Sequence, residues 1–188
     1  MPQFPGPRAA FLAVALAMAG AHVVARGDAA PVAAGTVKMA IVYTLGKFVE
    51  WPATALNDDP RAFTLCILGP TADLQQGLAA IDAKPVQGRE LRVRRLVSTA
   101  GLPGCRILYL SEPGDSSYQS VLSKAHALNI LTVSDASLFT ESGGIVGLET
   151  RDSRIRFSVN LDGARAANLR ISSELLRLAR SVSGTERD

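Results

Sequence analysis

Two short runs, the second strictly alternating, parted by a three-residue turn, constrain this chain more than any other feature. In the second run Ile155, Phe157 and Val159 fall on one side, and Arg154, Arg156 and Ser158 on the other. A period of two suits an extended strand with one buried face, because a slip of one residue would turn every apolar group to water. Ile145 to Glu149 pairs with Ile155 to Val159 through the turn at Arg151-Asp152-Ser153, so a C-terminal β-hairpin is expected. Beyond it Leu161, Ala164, Asn168, Ile171, Leu175, Leu178 and Val182 recur at alternating steps of three and four. That stripe predicts one long closing helix docked on the sheet.

Upstream, strand and helix signals alternate. Residues 36–50 read as a helix, with Val37, Ile41, Leu45 and Phe48 on one stripe and Trp51-Pro52 ending it. Phe63 to Leu68, Leu91 to Leu96, Ile107 to Leu110 and Asn129 to Val133 read as strands. Ala72 to Asp82 and Tyr118 to Leu128 read as helices between them. The expected fold is α/β: a single compact domain with a mixed β-sheet flanked by helices.

The chain has 188 residues, of which 47% are apolar, enough for an ordinary packed core. Residues 1–30 read as a cleaved secretory signal peptide, leaving 31–188 as the domain. Arg8 gives the positive start, Ala9 to Ala21 is almost wholly apolar, and Ala19-Gly20-Ala21 fits a cleavage step, with Val23-Val24-Ala25 a second candidate. An uncleaved anchor is the alternative, but the stretch falls short of the ~20 apolar residues a spanning helix needs. No later run is long and apolar enough to span. Without residues 1–30 the chain carries 18 basic and 16 acidic side chains, a balance that does not point to nucleic acid. Two cysteines, Cys66 and Cys105, invite a disulfide in an oxidising compartment; two buried thiols are the alternative.

Catalytic and metal-binding patterns are missing. Outside the leader one histidine occurs, His126, expected on a helix surface, so neither a histidine metal cluster nor a Ser-His-Asp set can be assembled. Gly143-Gly144 with Gly147 leads into a strand rather than a helix, so a tight turn is expected, not a phosphate cradle. Asp135 follows a strand and resembles the strand-end carboxylates of α/β enzymes, yet no partner carboxylate or base can be assigned to it, and a cap or turn role is expected. No enzyme activity, metal or cofactor is expected. The opening helix is apolar on more than one side, and surplus apolar surface marks association sites. Met39, Val42 and Tyr43 are therefore a candidate interaction surface. Arg154 and Arg156 are candidates for contact with an acidic partner; a solvated sheet face is the other reading.

Several segments together resemble the YfiR family of periplasmic proteins. They are Val37-Lys38, Tyr43 and Lys47-Phe48-Val49-Glu50-Trp51-Pro52; Leu65-Cys66-Ile67-Leu68-Gly69; Val86 to Leu96 with its Gly88-Arg89 step; Cys105-Arg106-Ile107-Leu108-Tyr109-Leu110; Leu131 to Asp135; Gly143-Gly144-Ile145; Arg154 to Asn160; and Arg170-Ile171-Ser172-Ser173. The resemblance covers roughly residues 36–182. It implies a compact α/β fold, a homodimer and a Cys66–Cys105 disulfide. It further implies a periplasmic regulator that binds and represses the sensor part of an inner-membrane diguanylate cyclase, controlling cyclic-di-GMP signalling and biofilm formation. The founding type has a second cysteine pair near the glycine step. This chain has none there, so a redox role resting on that pair is not carried over. A periplasmic small-molecule-binding protein is the alternative function.

Overall fold

A computed structural model describes residues 1–2, 33–56, 59–111 and 118–184. The expected signal peptide lies almost wholly outside the described residues.

Helix α1 (Ala34–Phe48) opens the domain. Gly35, Lys38, Met39, Val42, Leu45 and Gly46 are its buried positions, recurring at helical spacing. The helix stops at Val49, whose backbone is extended (φ −96°, ψ 139°), because Val49–Glu50 leaves it as strand β1. The proline expected to end the helix lies beyond that strand. Strand β2 (Ala62–Leu68), helix α2 (Gln75–Ile81), strands β3 (Pro85–Val86), β4 (Arg89–Leu96) and β5 (Ile107–Leu110), helix α3 (Tyr118–Ala127) and strand β6 (Leu131–Ser134) follow. The expected hairpin is present as β7 (Val146–Arg151) and β8 (Arg154–Asn160), joined through Asp152 and Ser153, both in the left-handed region.

The expected long closing helix is not formed. The segment divides into α4 (Leu161–Ala166), β9 (Arg170–Ile171), α5 (Ser173–Leu178) and β10 (Ser181–Ser183). Three local causes break it. Asn168 takes φ +52°, which a continuing helix excludes. Asn160 caps α4 by accepting from the Asp162 and Gly163 amides, and Ser172 caps α5 by accepting from the Leu175 amide. Between the caps, β9 pairs antiparallel with β1, Val49 opposite Ile171 and Glu50 opposite Arg170.

The main sheet runs β10-β8-β7-β6-β5-β2-β4-β3. Its centre is parallel: β2 lies between β4 and β5, and β6 and β7 continue beyond β5. Strands β3 and β8 pair antiparallel with β4 and β7, so the sheet is mixed. Both faces of the central strands are covered. Phe63, Leu65, Ile67, Ile107, Tyr109, Leu131 and Val133 join Met39, Val42 and Leu45 in one core. Cys66, Leu108 and Leu110 join Val121, Leu122 and Ala125 of α3 in a second core on the opposite face. Each large apolar side chain so covered contributes about 1.5–3 kcal/mol.

Helices α1 and α2 touch through glycines. A Cβ on Gly35 would lie 1.9 Å from the Asp73 carbonyl oxygen, and one on Gly77 would lie 2.6 Å from the Gly35 carbonyl oxygen. That approach brings Lys38, one turn along α1, beside Asp73.

Candidate functional site

The carboxyl ends of parallel strands are where open α/β sheets bind ligands, at the point where strand order reverses. Here the reversal falls between β2 and β5. Main chain fills that point. Gly69 has φ +110°, and a Cβ there would sit 1.9 Å from the Ser111 carbonyl oxygen, while the Ser111 amide donates to the Leu68 carbonyl at 3.0 Å.

Beside it stands a charged cluster. Lys38 reaches from α1 to Asp135, which follows β6, in an ion-paired hydrogen bond, and to Asp73 at 3.6 Å. The lysine side chain is 11% exposed. Burial alone pulls its pKa down, but the hydrogen bond and charge of Asp135, with the charge of Asp73, outweigh burial and raise it. Tyr109 on β5 is 1% exposed. Burial and the neighbouring Asp135 charge push its phenol pKa far up, so it stays neutral. A lysine held protonated is neither base nor nucleophile. The cluster therefore binds α1 to the strand ends electrostatically.

Asp135 thus has the partner that could not be assigned from sequence, a residue 97 positions earlier. The available signal was Lys38 itself, a charge on the buried stripe of an apolar helix. His126 also differs from expectation. It is half-buried rather than on the surface, and its buried Nε2 lacks a partner among the described residues. Burial lowers its pKa, so it stays neutral.

The candidate helix surface is corrected by the fold. Met39 and Val42 are 0% exposed, packed in the core beneath α1, and offer nothing to a partner of this folded form. The helix is apolar on more than one side because the sheet and α2 both cover it. Tyr43 is half-buried; its hydroxyl donates to the Pro85 carbonyl at 2.9 Å, and the Lys47 and Lys84 ammonium groups lie 5.5 and 5.8 Å from its ring centroid. The disulfide Cys66–Cys105 is formed. Arg94 lies over it, donating to the Gly101 and Pro103 carbonyls at 3.0 and 2.7 Å, with Nη2 3.2 Å from the Cys105 sulfur.

Arg154 and Arg156 stand exposed on the outer side of β8. Arg154 lies directly opposite Arg151 across the hairpin, and Arg156 opposite Glu149. Glu149 is engaged by Arg180. Arg151, Arg154 and Arg156 form no ion pair among the described residues, and with Asp152 they line a depression of about 350 Å³. Like charges directly opposite each other across a strand pair are destabilising. A larger groove, about 640 Å³, runs beside the hairpin, lined by Asp135, Thr140, Glu141, Glu149, Ser158 and Arg180 among others.

These elements define an α/β domain with a parallel-centred mixed sheet, tied by one disulfide, whose strand-end charges are mutually satisfied and whose hairpin charges are not. The chain belongs to the YfiR/HmsC-like family, whose model matches residues 35–180. That family is periplasmic and regulatory. No helix among the described residues is long and apolar enough to cross a membrane. No curated protein sequence matches significantly. Among solved structures, an ABC domain in complex with L-Trp from Streptococcus pneumonia is similar at 12% identity and a TM-score of 0.52, with 79% of this chain and 60% of that one covered. A conserved domain protein from Vibrio cholerae O1 biovar eltor is similar at 12% identity and a TM-score of 0.49, with 80% and 60% covered. The chain spans 60% of the length of each of these structures. The first shares the fold.

Proposed function

We propose that the protein is a periplasmic repressor that binds the periplasmic sensor part of an inner-membrane diguanylate cyclase. It acts as a homodimer and holds the sensor in an inactive arrangement. The observation that carries this reading is the family match across residues 35–180, nearly the whole described domain. The physical mechanism is a population shift: the repressor binds the inactive sensor more tightly than the active one, and only that difference moves the equilibrium. Cyclic-di-GMP and biofilm formation rise when the repressor leaves. Deleting the protein in a strain that keeps the cyclase should raise cyclic-di-GMP, measured in cell extracts. An unchanged level would defeat the proposal.

The polar groove between the Asp135 loop and β7 supports a second reading, a small-molecule-binding protein. The fold neighbour in complex with L-Trp makes amino acids a sensible first set for a thermal-shift screen. A carrier should be stabilised by ligand without any protein partner. A flat screen removes this reading and leaves the first intact.

A further inference from the structure

The hairpin arginines carry a modest, solvent-screened cost as they stand. Arg151 and Arg154 face each other in register, and Arg156 projects from the same side of β8 two residues on. The one carboxylate placed across from Arg156, Glu149, is held by Arg180 instead. A solvated strand face gains nothing from three guanidinium groups gathered on one side with no ion pair among the described residues and one carboxylate, Asp152, in their rim, since like charges directly opposed weaken the pair.

We propose that the Arg151, Arg154 and Arg156 face of the β7–β8 hairpin docks an acidic segment of a partner protein, with carboxylate side chains seated in the depression it lines. This rests on the reading of the protein as a repressor that acts by contact, and names the chemistry of that contact. Guanidinium suits the task because its planar fork grips a carboxylate with two parallel hydrogen bonds. Arg154 and Arg156 lie about 7 Å apart along the strand. A partner presenting acidic residues at alternate strand positions, or about one helical turn apart, matches that spacing.

Charge pattern favours a protein over a polyanion or a lipid surface. Asp152 sits within the same rim as the arginines. A uniform sheet of phosphates would meet Asp152 unfavourably within an otherwise attractive rim, whereas a protein segment of mixed charge can place a basic group against it. The balance of 18 basic to 16 acidic residues beyond the leader also lacks the broad positive field that a polyanion binder carries.

The test uses the purified protein, its Arg154→Ala/Arg156→Ala variant and its Arg154→Lys/Arg156→Lys variant. Each is titrated against the isolated periplasmic segment of the diguanylate cyclase, a hexaglutamate peptide and phosphatidylglycerol vesicles, at low and high salt. The alanine variant should melt like the parent, bind the sensor segment about tenfold more weakly, and lose salt dependence. The lysine variant should recover part of the loss, since lysine restores charge but not the fork. Equal sensor binding by the parent and the alanine variant overturns the proposal. If the parent does not bind the sensor segment at all, the cyclase reading fails, and hexaglutamate decides the arginine face alone. Peptide binding that needs the arginines sustains it; indifference of the peptide to the variant overturns it. Arginine-dependent binding to vesicles only also overturns it, in favour of a membrane surface.

Discussion

Lys38 and Arg154 carry the same formal charge in opposite settings. Lys38 is 11% exposed and lies between Asp135 and Asp73, with its pKa raised by them. Arg154 is exposed, faces another arginine and has no ion pair among the described residues. The buried charge must be matched, because an unpaired charge out of water is intolerable. The exposed charges can stay unmatched because water and salt screen them at modest cost. The strand-end cluster is therefore spent on holding α1 to the sheet. The hairpin arginines are left exposed to solvent, which is what the proposed acidic partner would use.

The disulfide sets the scale for breaking this contrast. Replacing Cys66 and Cys105, separated by 39 residues, with alanine should cost about 4 kcal/mol by loop entropy, read from urea unfolding. Lys38→Met should come next, at about 2–3 kcal/mol, because it leaves Asp135, only partly exposed, without its partner. A loss below about 0.5 kcal/mol would put Lys38 in the same class as the hairpin arginines and end the distinction. Asp135→Asn should cost less, about 1–2 kcal/mol, since Asp135 is 31% exposed and Asp73 still faces the ammonium group. The smallest effect should be opposite in sign. Arg151→Glu places a carboxylate across from Arg154 and should stabilise the hairpin by about 0.5 kcal/mol, a gain that fades at high salt.

Alkaline titration sharpens the same contrast. The folded Lys38 pKa lies above its unfolded value. Its contribution is therefore fully present below the unfolded pKa of about 10.4 and is lost as pH rises through the folded pKa. The gap in stability between parent and Lys38→Met should narrow in that alkaline window. A gap that stays constant there would mean that Lys38 acts by packing alone.

Much of the sheet was readable in the sequence for a local reason. Ile107 to Leu110 is a continuous apolar run with buried flanks on both faces, and the strand has those bounds. The second strand of the hairpin announced itself by strict alternation and extends one residue past the expectation at each end, while β7 begins one residue later than expected and runs two further. The closing segment misled because Leu161, Ala164, Asn168 and Ile171 keep helical spacing while Asn168 adopts a backbone that no helix continues. Ile171 is apolar there to pair beside Val49, not to line a helix. Met39 and Val42 were misplaced because periodicity reports how much apolar surface a helix has, not whether the same chain covers it. The Lys38–Asp135 pair was out of reach for a similar reason, since only the tertiary fold brings α1 to the end of β6. Arg154 and Arg156 were readable as outward-facing. Their opposition to Arg151 depends on register, which the turn residues alone did not specify.

The division of the closing segment has a mechanical result. After the hairpin, the chain passes through α4, hydrogen-bonds to the end of the first helix through β9, then returns alongside β8 as β10. It works as a strap, fastened at one buckle beside Val49 and at another beside Val159. A load applied at the arginine-bearing strand is shared with the opening helix through this strap, so amide protons at Val49 and Ile171 should open to exchange together, and a nick anywhere between Leu169 and Ser183 should slacken both ends of the domain at once.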